Sequence, residues 1–438
     1  MGSSELHQLA IDTGFCQRTS PLAPEVFFDL LFYAVSLSQN SSLEYLVSYL
    51  DTQYGIQIRK QSLDARFTER TVDFVKAVLS RLLSEQFSGM LFSADFLSPY
   101  HHVRVKDSTT FKVPSHLANH YKGRGDTAGI SIQYEFDLKT GKFLDLTLNE
   151  AVRNDQRDAQ ETTDSIGKDD LIIRDLGYFS TGVLKTIVEK EAYFLSRLQS
   201  ATGVYDKKGV EVDFKELYTF MTKNGIEKCE QKVFIGKDRL AVRLAIGIVP
   251  PSVYEQRVRR KEKEEKQRGC QMKDRTRFLL HFNLFVTNVE AEKLPMENIL
   301  PLYRFRWQIE LMFKNWKSVF SIHKLQKMKE NRYITMLYTR LILIVVNLRI
   351  SNQVQCTLTG QGSLQKEKNT LLSYRKTSQT LKNCFSEVLK ILRCSKEEAI
   401  KLLGELYQTL SKNHWREKRK NRENFMENIG LFICISEK

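Results

Sequence analysis

The sequence is poor in several features that would each have fixed its class. Its seven cysteines (Cys16, Cys229, Cys270, Cys356, Cys384, Cys394 and Cys434) are odd in number and widely scattered. They do not read as the disulfide framework of a small secreted domain. No C-x-x-C pair, and no histidine cluster near one, suggests a zinc site. The opening MGSSELHQLAID lacks the charged-then-apolar layout of a signal peptide. The most apolar run, LILIVVNLRI from Leu341, falls well short of the roughly 20 residues that span a bilayer. It reads as a core helix, and no membrane role is expected. Internal repeats and low-complexity tracts are also missing. These absences together suit a reducing cytoplasm.

What remains is the composition of a globular protein with a cationic surplus. The 438 residues are 42% hydrophobic and 27% charged, too apolar for a disordered chain and too long for one ordinary core, so two or three domains are expected. A formal charge of +15 favours a polyanionic partner, nucleic acid or an anionic membrane surface, without choosing between them.

Residues 1–95 read as helices. PEVFFDLLFYAVSL and SLEYLVSYLDTQY space their apolar residues by three and four. A break at Gly55 and a second helix bearing Arg59, Lys60, Arg66 and Arg70 would suit a helix-turn-helix, or an ordinary hairpin with a solvated basic face. From about His101 the texture changes to mixed α/β. HHVRVKDSTTFKV reads as a strand, GISIQYEFDLKTGKFLDLTLNEA as a hairpin turning at Thr140-Gly141, and NDQRDAQETTDSI as a helix. DDLIIRDLGYFS, STGVLKTIVEKE and AYFLSRLQ continue as strand, helix and strand. EKCEQKVFIG and RLAVRLAIGIV are strand-like, and the basic stretch RVRRKEKEEKQRGCQMKDRTR after them is a solvated loop or helix, or an arm facing nucleic acid. After Leu302 the chain is helical to a basic tail, KNHWREKRKNR.

The stretch YRFRWQIELMFKNWK places one carboxylate among cations. On a helical wheel Tyr303, Arg306, Glu310 and Lys317 share one face, beside an apolar stripe that includes Phe305, Ile309, Phe313 and Trp316. Pro301 is expected in the first turn, where its missing N–H costs nothing. Taken alone, Arg306 and Glu310 would be a surface i,i+4 pair. Two upstream acids change the reading. Asp107 follows HVRVK and Asp175 ends LIIR, and acids at the carboxyl ends of strands lie where α/β sheets hold their ligands. Three converging carboxylates would repel unless they shared divalent cations, and oxygen ligands suit Mg²⁺ or Mn²⁺.

The four residues Tyr303, Arg306, Glu310 and Lys317 resemble the Y-x2-R-x3-E-x6-K signature of bacterial insertion-sequence transposases of the "insertion sequence four" family. KDSTTF and IIRDLGYFS look like that family's two aspartate segments, and FVTNV just before the signature is in character. The resemblance implies an α/β, ribonuclease-H-like catalytic core over residues 96–350, with a β-rich insertion at about 200–292. A helical N-terminal DNA-binding domain (1–95) and a helical C-terminal region with a basic tail (351–438) would flank it. It further implies that Asp107, Asp175 and Glu310 form a catalytic triad holding two ions, and that Tyr303, Arg306 and Lys317 contact phosphates of the transposon end. The activity implied is cut-and-paste transposition: a nick at the element's end, second-strand cleavage through a hairpin, and strand transfer into target DNA. The expected partners are double-stranded DNA and a second copy of the chain, in a nucleoid setting. In some relatives a tryptophan of the insertion stacks on a flipped base; here the tryptophans are Trp307, Trp316 and Trp415, all outside it. A non-catalytic DNA-binding protein, or another nuclease of the same fold, would share much of this pattern.

Overall fold

A computed structural model describes residues 2–18, 20–36, 42–84, 95–125, 127–360, 372–384 and 395–414. The N-terminal region is helical as expected: α1 (Ser3–Asp12), α2 (Pro24–Ser36), α3 (Leu43–Tyr54), α4 (Lys60–Asp64) and α5 (Glu69–Ser84). Gly55 ends α3 in the left-handed conformation, at φ 65°, which favours a residue without a Cβ. The expected second helix of a helix-turn-helix is not continuous. α4 has five residues, and a turn through Ala65–Thr68 separates it from α5. Buried Leu63 and Phe67 pull this turn against the core, and Phe67 packs on Phe27 with ring centroids 5.6 Å apart. Arg59, Lys60, Arg66 and Arg70 are therefore spread over three local structures rather than one face.

The central sheet begins with β1 (Val103–Lys112), β2 (Gly129–Asp137) and β3 (Phe143–Glu150), a meander whose β2–β3 turn contains Gly141 at φ 69°. The chain then crosses through α6 (Asp155–Glu161) to β4 (Leu171–Arg174), and through α7 (Thr181–Glu189) to β5 (Tyr193–Arg197). Strands β4 and β5 run parallel to β1, giving the order β3-β2-β1-β4-β5 of a ribonuclease-H-like core. The insertion follows as β6 (Val204–Tyr205), α8 (Phe214–Lys223), β7 (Lys228–Ile235), β8 (Leu240–Ile248), α9 (Pro251–Gln267), α10 (Asp274–Leu279) and β9 (Phe282–Thr287). Its strands extend the core sheet: β9 pairs antiparallel with β5, so nine strands form one sheet ending β9-β8-β7-β6. The basic stretch is the helix α9, whose charges pair among themselves at i,i+4, as in Arg260–Glu264 and Lys261–Glu265. Arg257 fastens it to the sheet by donating to the Phe282 carbonyl at 2.8 Å.

The remaining helices are α11 (Met296–Arg304), α12 (Arg306–Ser318), α13 (Glu330–Gly360), α14 (Tyr374–Asn383) and α15 (Lys396–Asn413). Pro301 lies inside α11 rather than in its first turn, because the helix starts earlier, after Pro295. The helix tightens at Phe305, whose N–H reaches the Leu302 carbonyl, and α12 starts at the next residue. Glu330–Gln355 is long and apolar enough to cross a membrane, yet 89% of its most apolar window is buried within the protein, as a core helix requires. The basic tail from residue 415, including Trp415, lies outside the described residues.

Alternation along the strands sets two cores against the sheet. Val103, Val105, Ile130, Ile132, Tyr134, Leu171, Ile173 and Leu195 face the core shared with α2, α5, α12 and α13. Ile172, Phe194, Leu244 and Val286 face a second core under α7 and α8. Over β1 and β2 the second face is polar although buried, and carries Arg104, Lys106, Gln133, Glu135 and Asp137.

Candidate active site

Asp107 is inside β1 rather than beyond its end, because the strand continues through Ser108–Lys112 while pairing with β2. It shares odd-numbered parity with Val103 and Val105, and so faces the core on which α12 packs. Asp175 follows β4 directly, with the parity of Leu171 and Ile173. The parallel register pairs Lys106 with Arg174, so the next residues on each strand, Asp107 and Asp175, are neighbours. Above them α12 is docked by Ile309, Phe313 and Trp316, all buried, with the Trp316 ring 5.2 Å from that of Tyr134. This docking presents Arg306 and Glu310, one turn apart, to the two aspartates.

One guanidinium joins the three acids. Arg306 Nη1 is 3.1 Å from Asp107 Oδ2, Nη2 is 2.9 Å from Glu310 Oε1, and Nε is 3.5 Å from Asp175 Oδ1. Burial opposes the charge on Arg306, but Asp175, Tyr303 and Asp107 hold its pKa above the ordinary arginine value. Burial pushes the Asp107 carboxyl up to about 6, with Asp175 and Glu310 adding to the rise against the pull of the Ser108 N–H and Arg306. The rise therefore reports chiefly the burial of Asp107, with the two neighbouring acids as lesser contributors. The donors of the three acids are all oxygens, the type that divalent cations take, although with Arg306 between them the three carboxylates do not draw within 4.8 Å of one another.

The other expected contacts differ in what they can reach. Lys317 is half-buried and donates to the Thr110 carbonyl on β1 at 3.2 Å, and burial lowers its pKa. Tyr303 is only 6% exposed. Its hydroxyl lies 3.4 Å from the Arg174 carbonyl and its ring packs on Phe285, so it backs the site instead of facing solvent. Burial and the nearby Asp175 push its phenol up to about 12, which keeps it a neutral donor. Trp316 is in the core, whereas Trp307 is exposed beside Arg306 with Lys314 5.8 Å from its ring. In the N-terminal region Lys60 pairs with Glu44 at 2.7 Å and Arg66 donates to Ser20 Oγ at 2.6 Å, while Arg59 and Arg70 are exposed. None of the four approaches the triad through a contact described here.

Sequence reasoning missed a second layer. Asp107 Oδ1 accepts from the Ser108 N–H at 2.8 Å, and the Ser108 hydroxyl donates to Asp155 Oδ1 at 3.0 Å. Gln133 and Tyr178 extend this chain: Tyr178 donates to Gln133 Oε1 at 2.6 Å, and Gln133 Nε2 to Asp155 at 3.3 Å. Gly177 leaves room for it, since a Cβ there would lie 3.0 Å from Asp155 Oδ2. Asp155 starts α6 behind Asn154, within the stretch NDQRDAQETTDSI whose sequence signalled a helix and nothing more.

Residues 101–347 match the family described as the transposase DDE domain. The chain belongs to the DDE transposase family. It is 30% identical to the transposase for insertion sequence element IS231F of Bacillus thuringiensis subsp. israelensis, over 98% of this chain and 93% of the relative. The transposase for IS231B of B. thuringiensis subsp. berliner is 29% identical over 98% and 92%. The transposase for IS1151 of Clostridium perfringens is 27% identical over 79% and 78%. Membership in the DDE family carries DNA transposition as the function and dependence on divalent metal as its chemistry.

Proposed function

We propose that this transposase cuts its element free and joins it to target DNA through one site built on Asp107, Asp175 and Glu310. The observation that carries this reading is the Arg306 guanidinium, which lies within 3.5 Å of all three carboxylates although they come from β1, the end of β4 and α12. The three acids would hold two divalent cations, Mg²⁺ or Mn²⁺. When bound, the cations activate a water or 3′-hydroxyl and stabilise the leaving oxygen of a phosphodiester. Arg306 neutralises the carboxylates, and with cations bound there its charge would be available to a DNA phosphate. Lys317 contributes a second charge along the same face. Tyr303 keeps its proton and steadies Arg306 from below. Ser108 and Asp155 fix the orientation of Asp107. Trp307, exposed next to Arg306, is placed to stack on a base displaced at the cut. Arg59 and Arg70, both exposed, join Lys60 and Arg66 in holding the element end, and two copies of the chain act on the two ends.

The test uses a duplex carrying the element's own terminal inverted repeat. Asp107→Asn and Glu310→Gln are expected to abolish Mg²⁺-dependent cleavage while end binding in a gel shift persists. Cleavage at the parental rate in either variant removes it from the triad. Strand joining by the parent marks a transposase, hydrolysis alone a nuclease, and binding without cleavage a non-catalytic DNA-binding protein.

A further inference from the structure

At the opposite ends of the two aspartate-bearing strands lies a second group of metal-ligating side chains. His101 and His102 precede β1, and Asp170 precedes β4. The parallel ladder that pairs Val103 with Leu171 sets these approaches side by side. The His101 N–H donates to the Asp169 carbonyl, and the Leu171 N–H to the His102 carbonyl, each at 2.8 Å. One ring nitrogen from each histidine and a carboxylate oxygen of Asp170 come within 4.8 Å of one another, and no other such group occurs among the described residues.

We propose that His101, His102 and Asp170 form a Zn²⁺ site separate from the catalytic triad. Asp170 is 1% exposed, and its Oδ2 is held by Arg104 Nη1 at 3.1 Å and the Gly167 N–H at 3.0 Å. Its Oδ1 is buried without a hydrogen-bond partner and lies 3.5 Å from His101 Nδ1, aimed into the cluster. A buried carboxylate oxygen left in that state is costly unless a cation completes it. His102 Nδ1 is 3.2 Å from Asp137 Oδ2, and Asp137 is itself fixed by the Val103 N–H and the Thr140 hydroxyl. An ionised carboxylate only accepts, so in the neutral ring Nδ1 carries the proton and Nε2 is the nitrogen left to ligate a metal. A carboxylate behind a ligating histidine is the outer-shell arrangement that orients such ligands.

The donor set, two imidazoles and one carboxylate, suits Zn²⁺ and discriminates against Mg²⁺. The His101 side chain is 68% exposed, which leaves an entry path and an open position for water. Asp107 lies five positions beyond His102 along β1, about 16 Å at the usual rise, so the sites share no ligand. Zinc here would clamp together the starts of the two strands that carry Asp107 and Asp175.

The test takes full-length, untagged, metal-stripped protein bearing Asp107→Asn and Glu310→Gln, which removes competing zinc binding at the triad. Competition with a chromophoric zinc chelator should show one Zn²⁺ per chain, and Co²⁺ should give the visible absorption of a nitrogen-ligated ion. Adding His101→Ala, at an exposed position that leaves the fold intact, should weaken binding at least tenfold and remove the Co²⁺ bands. Zinc should also raise the melting temperature of the parent and not that of the His101→Ala chain. His102→Ala should repeat the loss. Absence of zinc binding in the parent, or equal binding in the His101→Ala chain, would overturn the site.

Discussion

At the scale of single residues, Arg306 and Asp107 show how the site is poised between charge states. The sequence offered Arg306 and Glu310 as an i,i+4 pair, and that pair is present at 2.9 Å. What it could not offer were the two further carboxylates on the same guanidinium, since these depend on strands about 130 and 200 residues away. The cost falls on Asp107. Its carboxyl is raised from 3.8 to about 6, chiefly by burial, so ionising it works against the fold. Above pH 6 the group is ionised in both folded and unfolded chains and the folded state bears the full penalty. Below pH 4 it is protonated in both and the penalty is gone. Two pKa units correspond to about 3 kcal/mol, an upper bound for this side chain. In EDTA at pH 8 the Asp107→Asn variant should therefore melt a few degrees higher than the parent. The difference should close as pH falls from 6 to 4. Thermal melts across that range check it, and a variant less stable at pH 8 would mean that the ion pair with Arg306 outweighs burial.

At the scale of elements, periodicity carried most of the reading and register carried what was missed. The strand runs of β1, β2, β7 and β8, the short apolar run of β4, the Thr140-Gly141 turn and the helical phase of residues 303–317 were all legible, because each depends on near neighbours. The break between α4 and α5 was not, since Leu63 and Phe67 turn inward only when α2 is there to receive them. Nor did the sequence reveal that β9 would anneal to β5, or that the His-His dipeptide would meet an aspartate 68 positions away through strand pairing. The helix α12 is where local pattern and tertiary fit meet. Its apolar stripe docks through Trp316 and Phe313 on Tyr134, and that docking aims Glu310 at the aspartates. Trp316→Ala should cost about 3–5 kcal/mol, the range for removing a buried aromatic. It should also reduce DNA cleavage by more than the loss of folded chain explains. Urea unfolding alongside single-turnover cleavage measures both. Unchanged cleavage per folded molecule would show that α12 holds its place without this anchor.

At the scale of the molecule, one nine-stranded sheet joins catalytic core and insertion, with an apolar core on each side and a buried charged layer beneath the aspartate strands. That layer ties four strands together. Glu135 on β2 accepts from Arg104 on β1 at 2.9 Å and from Arg174 on β4 at 3.3 Å, while Lys106 on β1 reaches Asp145 at 2.8 Å and Asp158 at 2.7 Å. Burial alone would raise the Glu135 carboxyl, but Arg174, Arg104 and Lys106 hold it down at about 2, against an ordinary 4.5. The ionised group therefore contributes stability that is complete above pH 4.5 and is lost as pH falls toward 2, roughly 3 kcal/mol from the shift. Removing one partner from a buried network leaves the others uncompensated, typically at about 3–5 kcal/mol. Glu135→Gln should accordingly be destabilised by that amount at pH 7, with the gap to the parent narrowing below pH 4.5. Urea midpoints measured from pH 7 to pH 3 would show this convergence. Equal midpoints at pH 7 would mean that the apolar cores alone hold β1 beside β4, and that the charged layer is not what keeps Asp107 next to Asp175.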